Sequence, residues 1–182
     1  WERAIHRDVV GPVLEDQVTA VREATRLRPD LDPGRVGIRG WSFGGSLAAL
    51  AVLRRPDVFH AAVAGAGVTD QRLYHALWRE RFLGHPAEFP ERYEACSLVD
   101  EAPALTRPLL LMHGLADEKV HVANTVRLSG ALLAAGRLHE VVLLPGVGHQ
   151  AIGSRATADL LRHQVSFLRR HLDPEARRAG RT

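Results

Sequence analysis

The chain is poor in cysteine, with Cys96 as the only one among its 182 residues. A single thiol excludes an internal disulfide and any metal cluster held by cysteines. The sequence also lacks a run of about 18 apolar residues, so it predicts no transmembrane helix. With 46% hydrophobic and 25% charged residues, the composition excludes collagen-like, disordered and disulfide-scaffold proteins and indicates a globular domain.

An excess of charge of one sign is absent as well. The 24 basic residues outnumber the 21 acidic ones by three, and Lys119 is the only lysine. Apart from a basic tail over residues 169–181 the charges are interspersed, so nucleic-acid binding is not predicted. The histidines show no metal-binding spacing, and we predict neither a metal nor another cofactor. We expect His113 to pack or hydrogen-bond beneath a loop and His121 to shape that loop.

Strand-like and helix-like segments alternate along the chain, which favours a parallel sheet flanked by helices. The predicted strands cover residues 36–38, 61–64, 109–112 and 140–144, and the predicted helices cover residues 14–27, 46–53, 70–82, 120–135 and 156–172. The remaining long segment, residues 84–108, is turn-rich and predicts short helical pieces at most. The sequence thus predicts a single α/β domain over residues 1–182, with about four strands in a mostly parallel sheet and helices on both faces.

A G-x-S-x-G pattern with Ser42 at its centre lies between the first predicted strand and the following helix. This setting is typical of a nucleophile elbow, a strained turn that exposes the serine hydroxyl. We expect Gly40 and Gly44, helped by Gly45, to keep side chains out of a tight strand–helix crossing. The backbone N–H of Phe43 would then point at an oxyanion near the helix N-terminus. An ordinary glycine-rich turn is the alternative interpretation.

A nucleophilic serine needs a base and an acid that orients the base. Asp117 follows the third predicted strand and His149 follows the fourth, the chain order found in α/β-hydrolases. Because the carboxyl ends of parallel strands share one edge of a sheet, we expect both residues to lie near Ser42. Glu118 is a rival acid. Asp117 could instead cap the next helix, and His149 could be a surface loop histidine.

At these residues the sequence resembles the C-terminal part of the prolyl oligopeptidase family catalytic domain, nearest to its dipeptidyl peptidase IV branch. The resemblance covers residues 14–172 and rests on GWSFGG at 40–45, HGLADEKVH at 113–121 and GH at 148–149. It implies an α/β-hydrolase fold and a serine peptidase that cleaves short peptides, often after Pro or Ala, by acyl-enzyme chemistry.

The resemblance also implies a role for each matched residue. Ser42 would be the nucleophile, His149 the general base and acid, and Asp117 the residue that orients His149. Phe43 would supply an oxyanion N–H. The implied substrate-binding positions are Phe43, Val68, Tyr74, Trp78, Lys119 and Val120. Tyr74 and Trp78 are four residues apart and would share one face of the predicted helix, although both could be plain core aromatics.

Three departures from the family limit what the resemblance implies. Lys119 stands where the branch typically has an Asn that contacts the substrate backbone. The family's second oxyanion donor is a tyrosine upstream of the nucleophile, whereas Tyr74 and Tyr93, the only tyrosines here, both follow Ser42. The family's N-terminal β-propeller has no counterpart in this sequence.

These departures lead to the expectation of an N-terminally truncated peptidase that continues into a missing β-propeller. The first strand would then have a bare edge, and the isolated chain would be weakly active at best. A homodimer and a cytoplasmic location are further expectations. An esterase of the same fold and an inactive fragment or interaction domain are the alternative functions.

Overall fold

The structure, a computed structural model, describes residues 3–150 and 154–173. In chain order this part contains α1 (Gly11–Leu27), β1 (Gly37–Trp41), α2 (Phe43–Arg54), β2 (Ala61–Gly65), α3 (Ala76–Leu83), α4 (Pro90–Ala95), β3 (Leu109–Gly114), α5 (Ala123–Ala134), β4 (Glu140–Leu144) and α6 (Ser154–Leu172). Short 3₁₀ turns occur at Gln71–Leu73 and Ala102–Ala104. The predicted alternation of strands and helices is therefore present.

The four strands form one sheet in the order β1-β2-β3-β4, and every neighbouring pair is parallel. The central strands β2 and β3 are buried along their whole length. This burial explains why they read as continuous apolar runs without a polar alternation. Among the described strands, β1 and β4 are the edges, and both are partly exposed.

Alternate side chains of the central strands enter two separate cores. On one face Ala62, Leu109 and Leu111 pack in a cluster with residues of α1, α2 and α5. On the other face Ala61, Leu110 and their neighbours pack against α6. The prediction of helices on both faces of a parallel sheet is confirmed.

The predicted helix over residues 70–82 is wrong. A 3₁₀ turn ends at Leu73, Tyr74 is extended with φ of −120° and ψ of 168°, and α3 begins only at Ala76. The cause is at Asp70, whose carboxylate accepts the N–H of Arg72 and closes a local turn that competes with the helix.

Several boundaries also differ from the predictions by a few residues. The helix predicted from residue 46 already begins at Phe43. The helix predicted from residue 120 begins at Ala123, because the preceding residues form the turn around an acidic side chain described below. The helix predicted from residue 14 already begins at Gly11.

Within the described ranges, none of the helices has both the length and the apolar character that a membrane span requires.

Candidate active site

Ser42 lies in the turn between β1 and α2 with a strained backbone. Its φ of 57° and ψ of −122° lie outside the regions that L residues favour. Hydrogen bonds hold the turn: the Ser42 N–H donates to the Gly65 carbonyl at 2.8 Å, and the Ser42 carbonyl accepts the N–H of Ser46 at 3.1 Å. This is the backbone geometry predicted for a nucleophile elbow.

Two of the three glycines around the turn must lack a side chain, because another part of the backbone lies directly against them. A Cβ at Gly40 would overlap the carbonyl of Gly44, and a Cβ at Gly45 would overlap the carbonyl of Gly65. A Cβ at Gly44 would meet nothing within 4 Å, so the expectation that Gly44 keeps a side chain out of the crossing is wrong. Gly44 takes part in the crossing through its backbone, which any residue has.

Ser42, His149 and Asp117 form one continuous hydrogen-bonded chain. His149 Nε2 lies 2.9 Å from Ser42 Oγ, and His149 Nδ1 lies 2.8 Å from Asp117 Oδ2. A carboxylate only accepts, so Nδ1 donates to Asp117 and the neutral ring leaves Nε2 free to accept the Ser42 hydroxyl proton. The hydroxyl of Ser42 thus donates to His149, and His149 donates to Asp117. This is the arrangement that activates a serine hydroxyl.

Asp117, and not its rival Glu118, faces the imidazole of His149. Its side chain is buried, and Oδ1 accepts the N–H groups of Lys119 at 2.9 Å and Val120 at 2.8 Å. Burial opposes ionisation of this carboxyl. The hydrogen bonds from His149, Val120 and Lys119 outweigh that effect and hold the pKa of Asp117 below its ordinary value of 3.8.

The alternative interpretation of Asp117 as a helix cap is only partly met. Its carboxylate closes the turn before α5, but the residue flanking that helix is Val122. Glu118 contacts His149 differently, since its carboxylate accepts the backbone N–H of His149 at 3.4 Å. One carboxylate thus orients the imidazole of His149, and the next supports the loop that carries it.

Sequence reasoning missed a hydrogen bond from Trp41. The indole Nε1 donates to the backbone carbonyl of His149 at 2.6 Å and so ties the histidine loop to the elbow. The sequence signal for this contact is the position of Trp41 directly before Ser42 in the GWSFGG motif. Ser46 is another missed support, because its Oγ accepts the N–H of Val68 at 2.8 Å and fixes the segment after β2.

Phe43 is the first residue of α2, where backbone N–H groups have no acceptor within the helix. An oxyanion next to Ser42 would meet these N–H groups and the positive end of the helix. The Phe43 side chain is 42% exposed, which leaves the ring accessible to a ligand.

The other expected substrate-binding positions fall into different surroundings. The Tyr74 ring lies 4.7 Å from the Arg79 guanidinium, whereas Trp78 stacks on Phe82 with ring centroids 6.3 Å apart. Tyr74 precedes α3 and Trp78 lies within it, so the argument that they share one helix face is wrong. The structural reason is the extended backbone at Tyr74, which interrupts the helical register.

Lys119, Val68 and Val120 complete the expected set. Lys119 is exposed on the turn that holds Asp117, which leaves its ammonium group accessible to a ligand. Val68 and Val120 are buried, with 3% and 0% of their surface exposed, so neither side chain offers a ligand accessible surface in this structure. His121 shapes the same loop as expected, since its Nδ1 accepts the N–H of Ala123 at 3.1 Å.

A parallel sheet with a serine elbow after β1, an acid after β3 and a histidine after β4 defines an α/β-hydrolase domain. The profile of the prolyl oligopeptidase family matches residues 1–175, and the chain belongs to that family. It is 33% identical over 162 residues to human dipeptidyl peptidase 8, and the matched segment covers 87% of this chain and 18% of the relative.

Two further comparisons bear on the site. The crystal structure of Porphyromonas gingivalis dipeptidyl peptidase 4 superposes with a TM-score of 0.82 at 32% identity, covering 87% of this chain and 22% of that one. Mouse inactive dipeptidyl peptidase 10 is 29% identical over 175 residues, covering 90% of this chain and 22% of the relative. The chain thus spans about a fifth of the length of the relatives it matches.

Proposed function

We propose that the protein is a serine peptidase that works by acyl transfer. The observation that carries this proposal is the hydrogen-bonded chain from Ser42 Oγ through His149 to Asp117, with distances of 2.9 and 2.8 Å. Family membership alone is insufficient support, because one of the relatives is named as inactive. The proposal therefore rests on the geometry of these three side chains.

In the proposed mechanism Ser42 Oγ attacks the scissile carbonyl carbon while His149 Nε2 takes its proton. The Asp117 carboxylate stabilises the resulting imidazolium and keeps Nδ1 protonated. The Phe43 N–H stabilises the oxyanion of the tetrahedral intermediate. His149 then protonates the leaving amine, and water, deprotonated by His149, hydrolyses the acyl-enzyme.

The proposed substrates are short peptides with Pro or Ala at P1. Support for short peptides comes from the names of the relatives, dipeptidyl peptidases 8 and 4. Support for proline comes from the name of the prolyl oligopeptidase family, and the proposal of alanine rests on the sequence resemblance alone. Phe43 and Trp78 present accessible aromatic surface that would suit a proline ring. Lys119 would contact the substrate backbone beside the acid.

The test is an assay of the full-length protein on paired substrates. Gly-Pro, Ala-Ala and N-blocked peptide anilides are compared with small acyl esters, and Ser42→Ala is the matched control. The proposal expects anilide cleavage that disappears in Ser42→Ala, together with labelling of Ser42 by a fluorophosphonate. A requirement for a free substrate N-terminus would indicate a dipeptidyl peptidase.

Two outcomes would reject the peptidase proposal. Ester hydrolysis without anilide cleavage would identify an esterase with the same three side chains. Absence of both activities and of Ser42 labelling, in protein that is folded by circular dichroism, would identify an inactive member of the family.

A further inference from the structure

His113 is a fully buried histidine that the proposed mechanism does not use. It lies in β3, one residue before the strand ends, and its side chain has no exposed surface. Burial of an imidazole is unfavourable unless its ring nitrogens are hydrogen-bonded. Both nitrogens of His113 have partners: Nδ1 lies 2.7 Å from Thr125 Oγ1, and Nε2 lies 2.8 Å from the Val120 carbonyl.

These two contacts determine where the proton of the ring lies. The Val120 carbonyl can only accept, so the proton is on Nε2. In a neutral ring Nδ1 must then accept, and the Thr125 hydroxyl donates to it. Burial also lowers the pKa of His113 below its ordinary value of 6.5, which keeps the ring neutral at neutral pH.

The same hydrogen bonds connect His113 to the catalytic acid. Val120 is held on both sides: its carbonyl accepts from His113, and its N–H donates to Asp117 Oδ1 at 2.8 Å. The Nε2 of His113 also lies 3.3 Å from Asp117 Oδ2, the oxygen that faces His149. The turn that presents Asp117 is therefore anchored through His113 to Thr125 on α5.

We propose that His113, which donates from Nε2 to the Val120 carbonyl and accepts at Nδ1 from Thr125, is a positioning residue that holds Asp117 in the orientation required by His149. This inference rests on the proposed serine peptidase function. Its physical basis is that small displacements of catalytic groups cost large factors in rate. The positioning role requires an N–H donor at the place of His113 Nε2, because the Val120 carbonyl beside the Asp117 carboxylate accepts that hydrogen bond.

Four substitutions in the full-length protein separate positioning from packing. His113→Phe keeps the ring volume and removes both nitrogens, whereas His113→Gln keeps an N–H donor on a side chain of similar reach. Thr125→Val removes the hydroxyl at nearly constant volume, and Thr125→Ser retains it. Each variant is first shown to be folded by circular dichroism and by its urea midpoint.

Positioning predicts a selective loss of turnover. We expect His113→Phe to lower kcat by about tenfold to a hundredfold with KM unchanged within about twofold. His113→Gln and Thr125→Ser should retain most of kcat, and Thr125→Val should lower it about threefold. The double variant His113→Phe/Thr125→Val should be no worse than His113→Phe alone, because both changes interrupt one path.

A second readout does not need turnover. The proton that His149 Nδ1 donates to Asp117 is expected as a strongly downfield resonance in the proton NMR spectrum. His113→Phe should shift or abolish this resonance and His113→Gln should preserve it. If wild type shows the resonance but cleaves nothing, the proposed function fails and the positioning is still tested by this comparison.

The inference is overturned if folded His113→Phe keeps kcat within twofold of wild type. It is also overturned if His113→Gln loses as much kcat as His113→Phe, since the retained donor would then have no effect. In protein without turnover, an unchanged downfield resonance in His113→Phe overturns it. If His113→Phe does not fold, Thr125→Val decides, and full kcat or an unchanged resonance in that variant overturns the proposal.

Discussion

The indole Nε1 of Trp41 donates to the backbone carbonyl of His149 at 2.6 Å, across 108 residues of sequence. The residue before Ser42 therefore holds the loop that carries His149. The Trp41 ring also packs directly over Gly65, where a Cβ would overlap it. The strand end at the elbow and the histidine loop are thus joined by one side chain.

Loss of this hydrogen bond should reduce activity more than stability. Trp41→Phe keeps an aromatic ring and removes the donor. A hydrogen bond of this kind contributes about 0.5–1.5 kcal/mol, so we expect kcat/KM to fall about threefold to tenfold. The measurement is steady-state cleavage of the best peptide anilide by folded variant and wild type.

Tyr93→Phe is the matched control for Trp41→Phe. The Tyr93 hydroxyl also donates to a backbone carbonyl, that of Gly84, at 2.8 Å. Its removal should cost about 1 kcal/mol of unfolding free energy and leave kcat/KM unchanged. Equal kcat/KM in Trp41→Phe and wild type would contradict the role of the indole donor.

The glycines of the elbow should differ sharply in their tolerance of alanine. Gly40→Ala and Gly45→Ala place a Cβ against backbone carbonyls, and we expect each to lower the unfolding free energy by about 3 kcal/mol or to prevent folding. Gly44→Ala has open space and lies in α2, so it should be neutral or gain a few tenths of a kcal/mol. Urea unfolding of the three variants tests this, and similar losses at all three positions would refute it.

Replacing the carboxylates of Asp117 and Glu118 by amides should distinguish the roles of the two residues. Asp117→Asn presents an amide to His149 Nδ1 and can select the wrong ring tautomer, so we expect kcat to fall about 10³- to 10⁴-fold. Glu118→Gln alters only a 3.4 Å contact with the His149 backbone N–H, and we expect a change within about threefold. Steady-state kinetics at constant pH tests both, and a larger loss in Glu118→Gln would reverse the assignment of the acid.

Stability should decline as the pH falls below about 6.5, in part because of His113. Its pKa is lowered by burial, so in this range the unfolded chain binds a proton that the native ring resists. That contribution is complete above pH 6.5 and is lost as the pH falls towards the lowered pKa. The unfolding free energy from urea titrations between pH 5 and 8 measures it.

His113→Gln is the reference for this pH dependence, because an amide does not titrate. The difference in slope between wild type and His113→Gln isolates His113 from the other histidines. Asp117 affects stability in a different pH range. Because its pKa in the folded protein is lowered, its stabilising contribution is lost only as the pH falls below 3.8. Identical slopes for the two proteins between pH 5 and 6.5 would show that His113 does not contribute.

Periodicity and turn residues were enough to predict the sheet and most helices. The apolar runs of β2 and β3 mark strands covered on both faces, and the chain order of Ser42, Asp117 and His149 predicts that all three lie at one edge. The helix over residues 70–82 failed because the Asp70 carboxylate accepts the N–H of Arg72 and closes a local turn. This turn is held in place by Asn124 Oδ1, which accepts the N–H groups of Thr69 and Asp70 at 3.0 and 3.3 Å. That partner lies 55 and 54 residues away, so no local pattern reveals it.

The sequence by itself determined the fold class, because strand and helix periods and the order of the motifs are local or ordered along the chain. It also placed Ser42, His149 and the two candidate acids Asp117 and Glu118 at the same edge of the sheet. Only the tertiary structure decided which carboxylate faces His149 and that Trp41 and His113 hold the loops that carry His149 and Asp117. These outcomes depend on hydrogen bonds of 2.6–2.8 Å between residues 12 to 108 positions apart in sequence, and the packing of the sheet and α5 brings these residues together.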